Sequence, residues 1–372
     1  MRIGVPKETK AGEKRVAISP DVVKSLIKAG FQCHIESDAG LNASFTNDAY
    51  TAAGANIVSG AKEIYGNSDI VLKVNAPNAE EASQLKEGIC LVSFLYAYTI
   101  PEVIDILNQK KITAFAMDAV PRISRAQKMD ALSSQANVAG YKSVILGANE
   151  MDKIFPMLMT AAGTITPSKV LIFGAGVAGL QAIATAKRLG AVVEVTDVRP
   201  ETKEQVESLG GKFLTVQSGA EVKIEGGYAK EVSKEFLDAQ QALIKKHIKD
   251  ADLVITTALV VGRKAPVLVT EEMVKTMKPG AVIVDMAVES GGNCEISEKG
   301  QTVSKYGVKI VGETNLPSLL PFNASELYAK NIATFLIHIA NKDGFIWEAE
   351  EEIAKGSLIT KDGKSVHPSI VK

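Results

Sequence analysis

Val170 to Asp197 reads VLIFGAGVAGLQAIATAKRLGAVVEVTD. The apolar run Val170 to Phe173 has the length of a buried strand, and the Ala- and Leu-rich segment Leu180 to Leu189 has the composition of a packed helix. Ala191 to Thr196 returns as a second strand and delivers an acid, Asp197. Between strand and helix stands Gly-x-Gly-x-x-Gly. Gly174 permits the tight turn, Gly176 lets a ligand approach the backbone, and Gly179 lets the helix pack on the sheet. The helix N-terminus then offers free N–H groups and a partial positive charge. A unit of this kind holds the pyrophosphate of a dinucleotide. A carboxylate at Asp197 accepts hydrogen bonds from a ribose diol and repels a 2'-phosphate, which favours NAD(H) over NADP(H). Arg199 is of the type that accommodates a 2'-phosphate, but an acid directly at the strand end outweighs it.

Outward from this stretch, 372 residues are too many for one average domain and suit two. Upstream, short apolar runs at Arg2 to Val5, Phe31 to Ile35, Asn56 to Val58, Ile70 to Val74, Ile89 to Phe94 and Thr113 to Met117 read as strands. Helical spacing occupies Asp21 to Ala29, Asp48 to Ala53, Ala79 to Lys86 and Pro101 to Gln109 between them. Strand and helix in alternation imply a parallel sheet covered on both faces. Downstream, Asp252 to Thr256, Ala281 to Asp285 and Val308 to Val311 continue the strands, with helices expected at Lys230 to Lys249, Glu271 to Met277 and Asn331 to Ala340. The tail's Lys361-Asp362-Gly363-Lys364 reads as an exposed turn. The expected fold class is α/β, with two Rossmann-like doubly wound parallel-sheet domains and a ligand cleft between them. The dinucleotide domain covers residues 135–315, inserted into a first domain of residues 1–134 plus 316–372.

Composition excludes other classes. A net charge of -1, with Lys and Arg spread along the chain, supplies no basic field for nucleic acid. Cys33, Cys90 and Cys294 are far apart and lack CxxC or His spacing, so no disulfide framework or metal site is expected. They suit a reducing compartment. The opening MRIGVPKETKAGEKR turns charged before an export signal's apolar region can form, and no run is long and apolar enough for a membrane span. Direct membrane insertion is therefore not expected.

Pro121 to Tyr141, PRISRAQKMDALSSQANVAGY, concentrates arginines, amides, hydroxyls and Asp130 at a density costly to bury. From composition alone, a solvated connecting helix and a binding segment are both open. Together with MTAAGT at 159–164, TKEQVESLGGKF at 202–213, GGYAKE at 226–231 and VESGGNC at 288–294, this segment resembles the NAD(H)-binding component of proton-translocating NAD(P) transhydrogenases. The resemblance runs from VPKE at 5–8 through RVAISP at 15–20 to VHP at 366–368. Alanine dehydrogenases belong to the same broad family and share its opening motifs. Arg15 and Lys73 stand where those enzymes hold a keto acid, Tyr96 replaces their acid/base histidine, and Glu289 replaces the acid that assists it. A phenol with an unperturbed pKa of ~10 is a poor proton shuttle at neutral pH. His34, His247, His338 and His367 all fall elsewhere and are expected at the surface or in packing.

The resemblance implies direct hydride passage between two nicotinamides, for which the protein supplies alignment rather than a nucleophile or metal. It assigns Gln127 and Asp130 catalytic positions and places Arg122, Ile123, Ser124, Arg125 and Ser133 beside them at the cofactor. It adds Val177 in the pyrophosphate turn, Asp197, Val198 and Arg199 on the adenosine side, and Gly227, Tyr228, Gln240 and Leu259. Leu259 follows the strand ending near Thr256, where ligands of open α/β sheets lie. The segment Gln217 to Tyr228 has the length and glycines of a lid, while Gln240 on a charged helix leaves a solvated face equally open. NADP(H) is then a co-substrate on a partner subunit, and a separate membrane subunit carries the proton path. The resemblance further implies a homodimer, peripheral on the cytoplasmic face of the inner membrane through its partners. Two rivals are an L-alanine dehydrogenase-like enzyme with a relocated acid/base group and a non-catalytic NAD-binding module.

Overall fold

The structure, a computed structural model, describes residues 1–216, 223–225, 228–231, 234–259 and 264–370. The chain divides into two compact units, Met1–Gln135 with Pro317–Lys372 and Ala136–Leu316. In the first unit, β1 (Arg2–Val5), α1 (Pro20–Lys28), β2 (Gln32–Glu36), α2 (Asn47–Ala52) and β3 (Asn56–Val58) are followed by α3 (Ala61–Asn67), β4 (Ile70–Leu72), α4 (Ala79–Gln84), β5 (Cys90–Ser93), α5 (Pro101–Gln109) and β6 (Thr113–Ala116). All six expected strands are present and parallel to one another. Alternate residues explain their continuous apolar runs: Ile70, Leu72, Cys90 and Val92 enter one core, while Val71 and Leu91 enter the core on the other face. Helix α3 was not expected, its apolar content being confined to Ala61, Ile64 and Tyr65. The Pro121 to Tyr141 segment is not one helix. A 3₁₀ turn, Ser124–Met129, precedes α6 (Ala131–Glu150), which begins in the first unit and continues in the second.

The second unit adds the hairpin β7 (Leu158–Thr160) and β8 (Gly163–Ile165), then β9 (Lys169–Phe173), α7 (Val177–Arg188), β10 (Val192–Thr196), α8 (Thr202–Ser208) and β11 (Lys212–Phe213). A small hairpin, β12 (Lys223–Glu225) and β13 (Tyr228–Glu231), precedes α9 (Lys234–His247), so Lys230 and Glu231, expected in the helix, are strand residues. β14 (Leu253–Thr256), α10 (Glu271–Val274), β15 (Val282–Asp285), β16 (Thr302–Lys305) and β17 (Val308–Val311) complete a sheet of order β11-β10-β9-β14-β15-β17-β16. Strand order reverses on either side of β9, the arrangement that places ligands beyond the carboxyl ends of the strands.

The chain returns to the first unit through α11 (Pro321–Ile339), the hairpin β18 (Ala340–Asn341) and β19 (Gly344–Phe345), α12 (Glu352–Ser357), β20 (Leu358–Lys361) and β21 (Lys364–Ser365). Helix α11 starts ten residues before the expected Asn331, with Pro321 preset at its first position. Its sheet has the order β21-β20-β6-β5-β4-β1-β2-β3. The sheets are mainly parallel, with antiparallel edges at β20, β21 and β16. Asp362 and Gly363 take φ of 50° and 80°, as the tight turn between β20 and β21 requires. Among the described residues, no helix is long and apolar enough to cross a membrane.

Candidate functional site

In the second unit, β9 ends at Phe173 and the chain turns through Gly174 at φ 100° into α7, with Gly176 at the N-cap. The three glycines do different work. A Cβ on Gly174 would stand 2.3 Å from Thr257 Oγ1, and one on Gly179 would stand 1.9 Å from the Gly174 carbonyl oxygen, so both are enforced by the protein itself. A Cβ on Gly176 would meet only Arg199 Nη2, at 3.9 Å. The space over Gly176 is therefore open, at the end of a 12-residue helix whose first N–H groups have no intrahelical partner. Those features fit a pyrophosphate. Val177 is exposed at this turn. A fourth glycine, Gly140 on α6, was missed: its Cβ would lie 2.1 Å from the Ala178 carbonyl oxygen. The long helix thus packs directly against the first turn of α7, a contact a glycine in an Ala-rich segment does not announce.

Asp197, buried at the end of β10, accepts the Ala175 N–H at 2.6 Å and the Arg199 N–H at 2.8 Å. The guanidinium of Arg199 donates from Nε and Nη2, each at 2.9 Å. These four bonds use the four acceptor positions of the carboxylate. A ribose diol must therefore displace Arg199 to reach it, while Arg199 is engaged by the acid rather than set aside for a 2'-phosphate. Val198 is half-buried beside them. Leu259 is exposed beyond β14, and the preceding Ala258 is held by Asn293, a residue of the 288–294 motif to which the sequence assigned no role. Asn293 Oδ1 accepts the Ala258 N–H at 3.0 Å, and its Nδ2 donates to the Ala258 and Pro266 carbonyls at 2.9 and 2.8 Å. Gln240 is buried, on the same face of α9 as Ile244, rather than on a solvated face. Gly227 and most of the expected lid lie outside the described residues, as does the side chain of Tyr228, whose backbone begins β13.

The first unit assembles the Arg122 to Ser133 segment. In a 3₁₀ turn residues three apart share a face. Ala126 and Met129 are buried on that face and Ile123 packs against the same core, leaving Arg122, Ser124, Arg125, Gln127 and Lys128 exposed. Asp130 caps α6: its Oδ1 accepts the Ser133 N–H at 2.8 Å and its Oδ2 accepts the Ser133 hydroxyl at 2.6 Å. Arg125 makes ion pairs with Glu351 and Glu352 at 2.8 and 3.1 Å.

Arg15 and Lys73 are both buried. Arg15 grips Glu13 through Nε and Nη2 at 2.8 and 2.6 Å and donates from Nη1 to Gln135 at 2.8 Å. Lys73 donates to Glu81 at 3.1 Å, with Glu8 at 3.7 Å. Burial alone would raise Glu13, but its hydrogen bonds and ion pair with Arg15 outweigh that and hold it down at about 2. Burial pushes Glu8 up, against the pull of Lys73. Both cations thus have carboxylate partners within the chain. Tyr96 stands in the left-handed region at φ 44°, its N–H held by Asp118 at 3.0 Å and its ring stacked on Phe94. Glu289 is exposed and 3.7 Å from Lys299. His247 and His338 pair with Glu194 and Glu351 at 2.7 and 3.0 Å, both far from Tyr96 in sequence.

Family models of the alanine dehydrogenase/PNT N-terminal and C-terminal domains match residues 4–139 and 143–368. The chain is 54% identical over 379 aligned positions to an NAD(P) transhydrogenase subunit alpha protein of Rhodospirillum rubrum, covering 100% of this chain and 99% of that one. It superimposes on a transhydrogenase crystal structure from Sinorhizobium meliloti with a TM-score of 0.90 at 44% identity, over 98% of this chain and 100% of the other. An L-alanine dehydrogenase structure gives 0.83 at 30% identity, over 99% and 98% of the two chains. The chain therefore belongs to the alanine dehydrogenase/PNT family and, within it, to the NAD(P) transhydrogenase alpha subunits.

Proposed function

We propose that the chain is the NAD(H)-binding component of a proton-translocating transhydrogenase, presenting its nucleotide to NADP(H) held by a partner subunit. The observation that carries this reading over an alanine dehydrogenase is that Arg15 and Lys73 are already occupied by Glu13, Glu81 and Glu8. A keto-acid carboxylate would have to displace buried ion pairs, at a cost of several kcal/mol. Tyr96 at the acid/base position agrees with it. When bound, the nucleotides supply the chemistry, NADH + NADP+ giving NAD+ + NADPH by transfer of one hydride. The protein's role is then to bind and orient. The Gly174–Gly179 turn and the first turn of α7 hold the pyrophosphate, Asp197 takes the ribose in exchange for Arg199, and Gln127, Asp130 and Ser133 serve the nicotinamide end. Arg122, Ile123, Ser124 and Arg125 shape that segment, and Leu259, Gln240, Gly227 and Tyr228 complete the adenosine and lid side.

Membrane-spanning and NADP-binding subunits complete the assembly, with this chain peripheral at the cytoplasmic face. A homodimer is supported by the β7–β8 hairpin, where Met157, Leu158, Met159 and Ile165 are all exposed. The test is to mix the chain with NADH and an oxidised NADP analogue, with and without the separately prepared NADP-binding subunit. Exchange should appear only with the subunit. Robust exchange by the chain alone, or none with the subunit, contradicts the reading.

Asp197→Asn tests the nucleotide preference. The amide no longer repels a 2'-phosphate and no longer neutralises Arg199, so the ratio of NADH to NADPH affinity should fall about tenfold, equivalent to about 1.4 kcal/mol. Fluorescence titration with the two reduced nucleotides reads it, and an unchanged ratio removes Asp197 from the ribose.

A further inference from the structure

Asn331 lies on α11, some two hundred residues beyond the segment that carries Gln127 and Asp130, and only 9% of its surface is exposed. Its Nδ2 donates to the Lys128 carbonyl oxygen at 2.9 Å, and its Oδ1 accepts the Ser134 hydroxyl at 2.7 Å. A carbonyl oxygen only accepts, so the orientation of the amide is fixed by chemistry: nitrogen toward Lys128, oxygen toward Ser134. One side chain thereby ties the 3₁₀ turn to the first turn of α6, on either side of Asp130. The clamp is braced by Gln135, which follows Ser134. Gln135 Nε2 donates to the Ala324 carbonyl oxygen of the same α11 at 3.0 Å, and Gln135 Oε1 accepts Arg15 Nη1 at 2.8 Å.

We infer that Asn331 is a positioning residue for hydride transfer: it sets the path of the backbone from Gln127 to Asp130, and so the aim of both side chains, without touching the nucleotide itself. This rests on the transhydrogenase reading. The apolar anchors Ala126 and Met129 fix how deeply the turn sits, but apolar contacts are non-directional and leave its rotation free. The ion pairs of Arg125 with Glu351 and Glu352 run through a long, half-exposed side chain, whereas the Lys128 carbonyl is the point at which a buried side chain bonds the backbone of the turn itself. A displacement of 1 Å in such a segment is enough to lower a transfer rate on the order of a hundredfold while leaving most of the binding contacts in place.

Asn331→Asp keeps the size and the acceptor for Ser134 but sets a carboxylate oxygen against the Lys128 carbonyl. With the NADP-binding subunit present, single-turnover hydride transfer should fall at least tenfold, while NADH affinity for the variant changes less than about threefold. Amide hydrogen exchange at residues 124–130 should accelerate with the rest of α11 unchanged. Ser134→Ala removes the contact to Asn331 Oδ1, together with the hydroxyl's local bonds to Ala131 and Gln135, but leaves the bond to the Lys128 carbonyl, and should show both effects more weakly; it carries the test if Asn331→Asp does not fold. Unchanged exchange at 124–130, or equal losses of transfer and NADH affinity, overturns the inference. If the unmodified chain shows no transfer with the subunit, the functional reading fails, and the hydrogen-exchange comparison still decides whether Asn331 holds the segment.

Discussion

Gly179→Ala is expected to weaken NADH binding about a hundredfold and to lower the unfolding temperature, whereas Gly176→Ala should weaken NADH binding and leave the unfolding temperature within about 2 °C. The difference follows from what each new methyl group meets. At Gly179 the Cβ would lie 1.9 Å from the Gly174 carbonyl oxygen and 2.8 Å from its carbon, both backbone atoms that no side-chain rotation can clear. Helix α7 must retreat from the turn, which spoils its packing and withdraws its N–H groups from the phosphates. Overpacking of this kind costs about 1–3 kcal/mol, and more when the obstacle is backbone. At Gly176 the methyl group enters open space with Arg199 Nη2 at 3.9 Å, so the fold loses nothing and only an approaching pyrophosphate is obstructed. NADH fluorescence titration and thermal unfolding separate the two. Gly179→Ala binding with unaltered affinity, or Gly176→Ala melting early, would contradict the division of labour.

The second large effect is on stability. Glu13→Gln should destabilise the first unit by about 3 kcal/mol at neutral pH, the lower end of the range for breaking a buried ion pair. Glu13 accepts from Arg15 at Nε and Nη2 and from Asn75 Nδ2 at 3.0 Å, so an amide in its place sets a donor against donors and leaves Arg15 without its bidentate partner. The loss is at the lower end because burial and the charge of Glu13 both push Glu8 up, so Glu8 carries negative charge more readily once Glu13 is neutral. The pH dependence has a definite sign. Glu13 is depressed from 4.5 to about 2, so its contribution is present above pH 4.5 and is lost as pH falls through about 2; a drop of that size corresponds to about 3 kcal/mol. The gap between the two proteins should therefore be wide at pH 7 and narrow steadily below pH 4.5. The single tryptophan, Trp347, packs edge-on against Phe115 in the first unit, so its fluorescence in urea reports that unit directly. A gap below about 1 kcal/mol at pH 7, or one that widens in acid, would mean that Arg15 does not depend on Glu13.

How much of this was legible in the sequence depends on the range over which each feature is encoded. The Val170 to Asp197 stretch is local: strand, turn, helix and acid lie within one βαβ unit, and the structure places them as Lys169–Phe173, Val177–Arg188 and Val192–Thr196. The strands of the first unit were equally plain: β4 and β5 are buried on both faces and read as nearly continuous apolar runs, while β2 alternates, with Cys33 and Ile35 buried between Gln32, His34 and Glu36. The start of α11 was not, since Pro321, Asn323, Ser325 and Glu326 resemble a loop until the packing of Ala324, Tyr328 and Ile332 is known. The burial of Gln240 four residues before Ile244 was a readable helical face hidden by the surrounding charges. The roles of Asn293 within its motif and of Asn331, and the clash that protects Gly140, were not legible locally. Amides that bond backbone in another segment, and glycines that admit a neighbouring helix, are defined only by chain distant in sequence. The pairing of Arg199 with Asp197 lies between these cases, two residues apart yet dependent on how the loop after β10 folds back.

In the proposed reaction the hydride passes from nucleotide to nucleotide with no acid/base group of this chain taking part. The decisive experiment uses NADH carrying deuterium on the transferred face of C4, incubated with the chain, an NADP-binding transhydrogenase subunit and an oxidised NADP analogue. The label should be recovered at C4 of the reduced analogue, with none in water. Label lost to solvent, or protium from water at C4 of the reduced analogue, would rule out direct transfer.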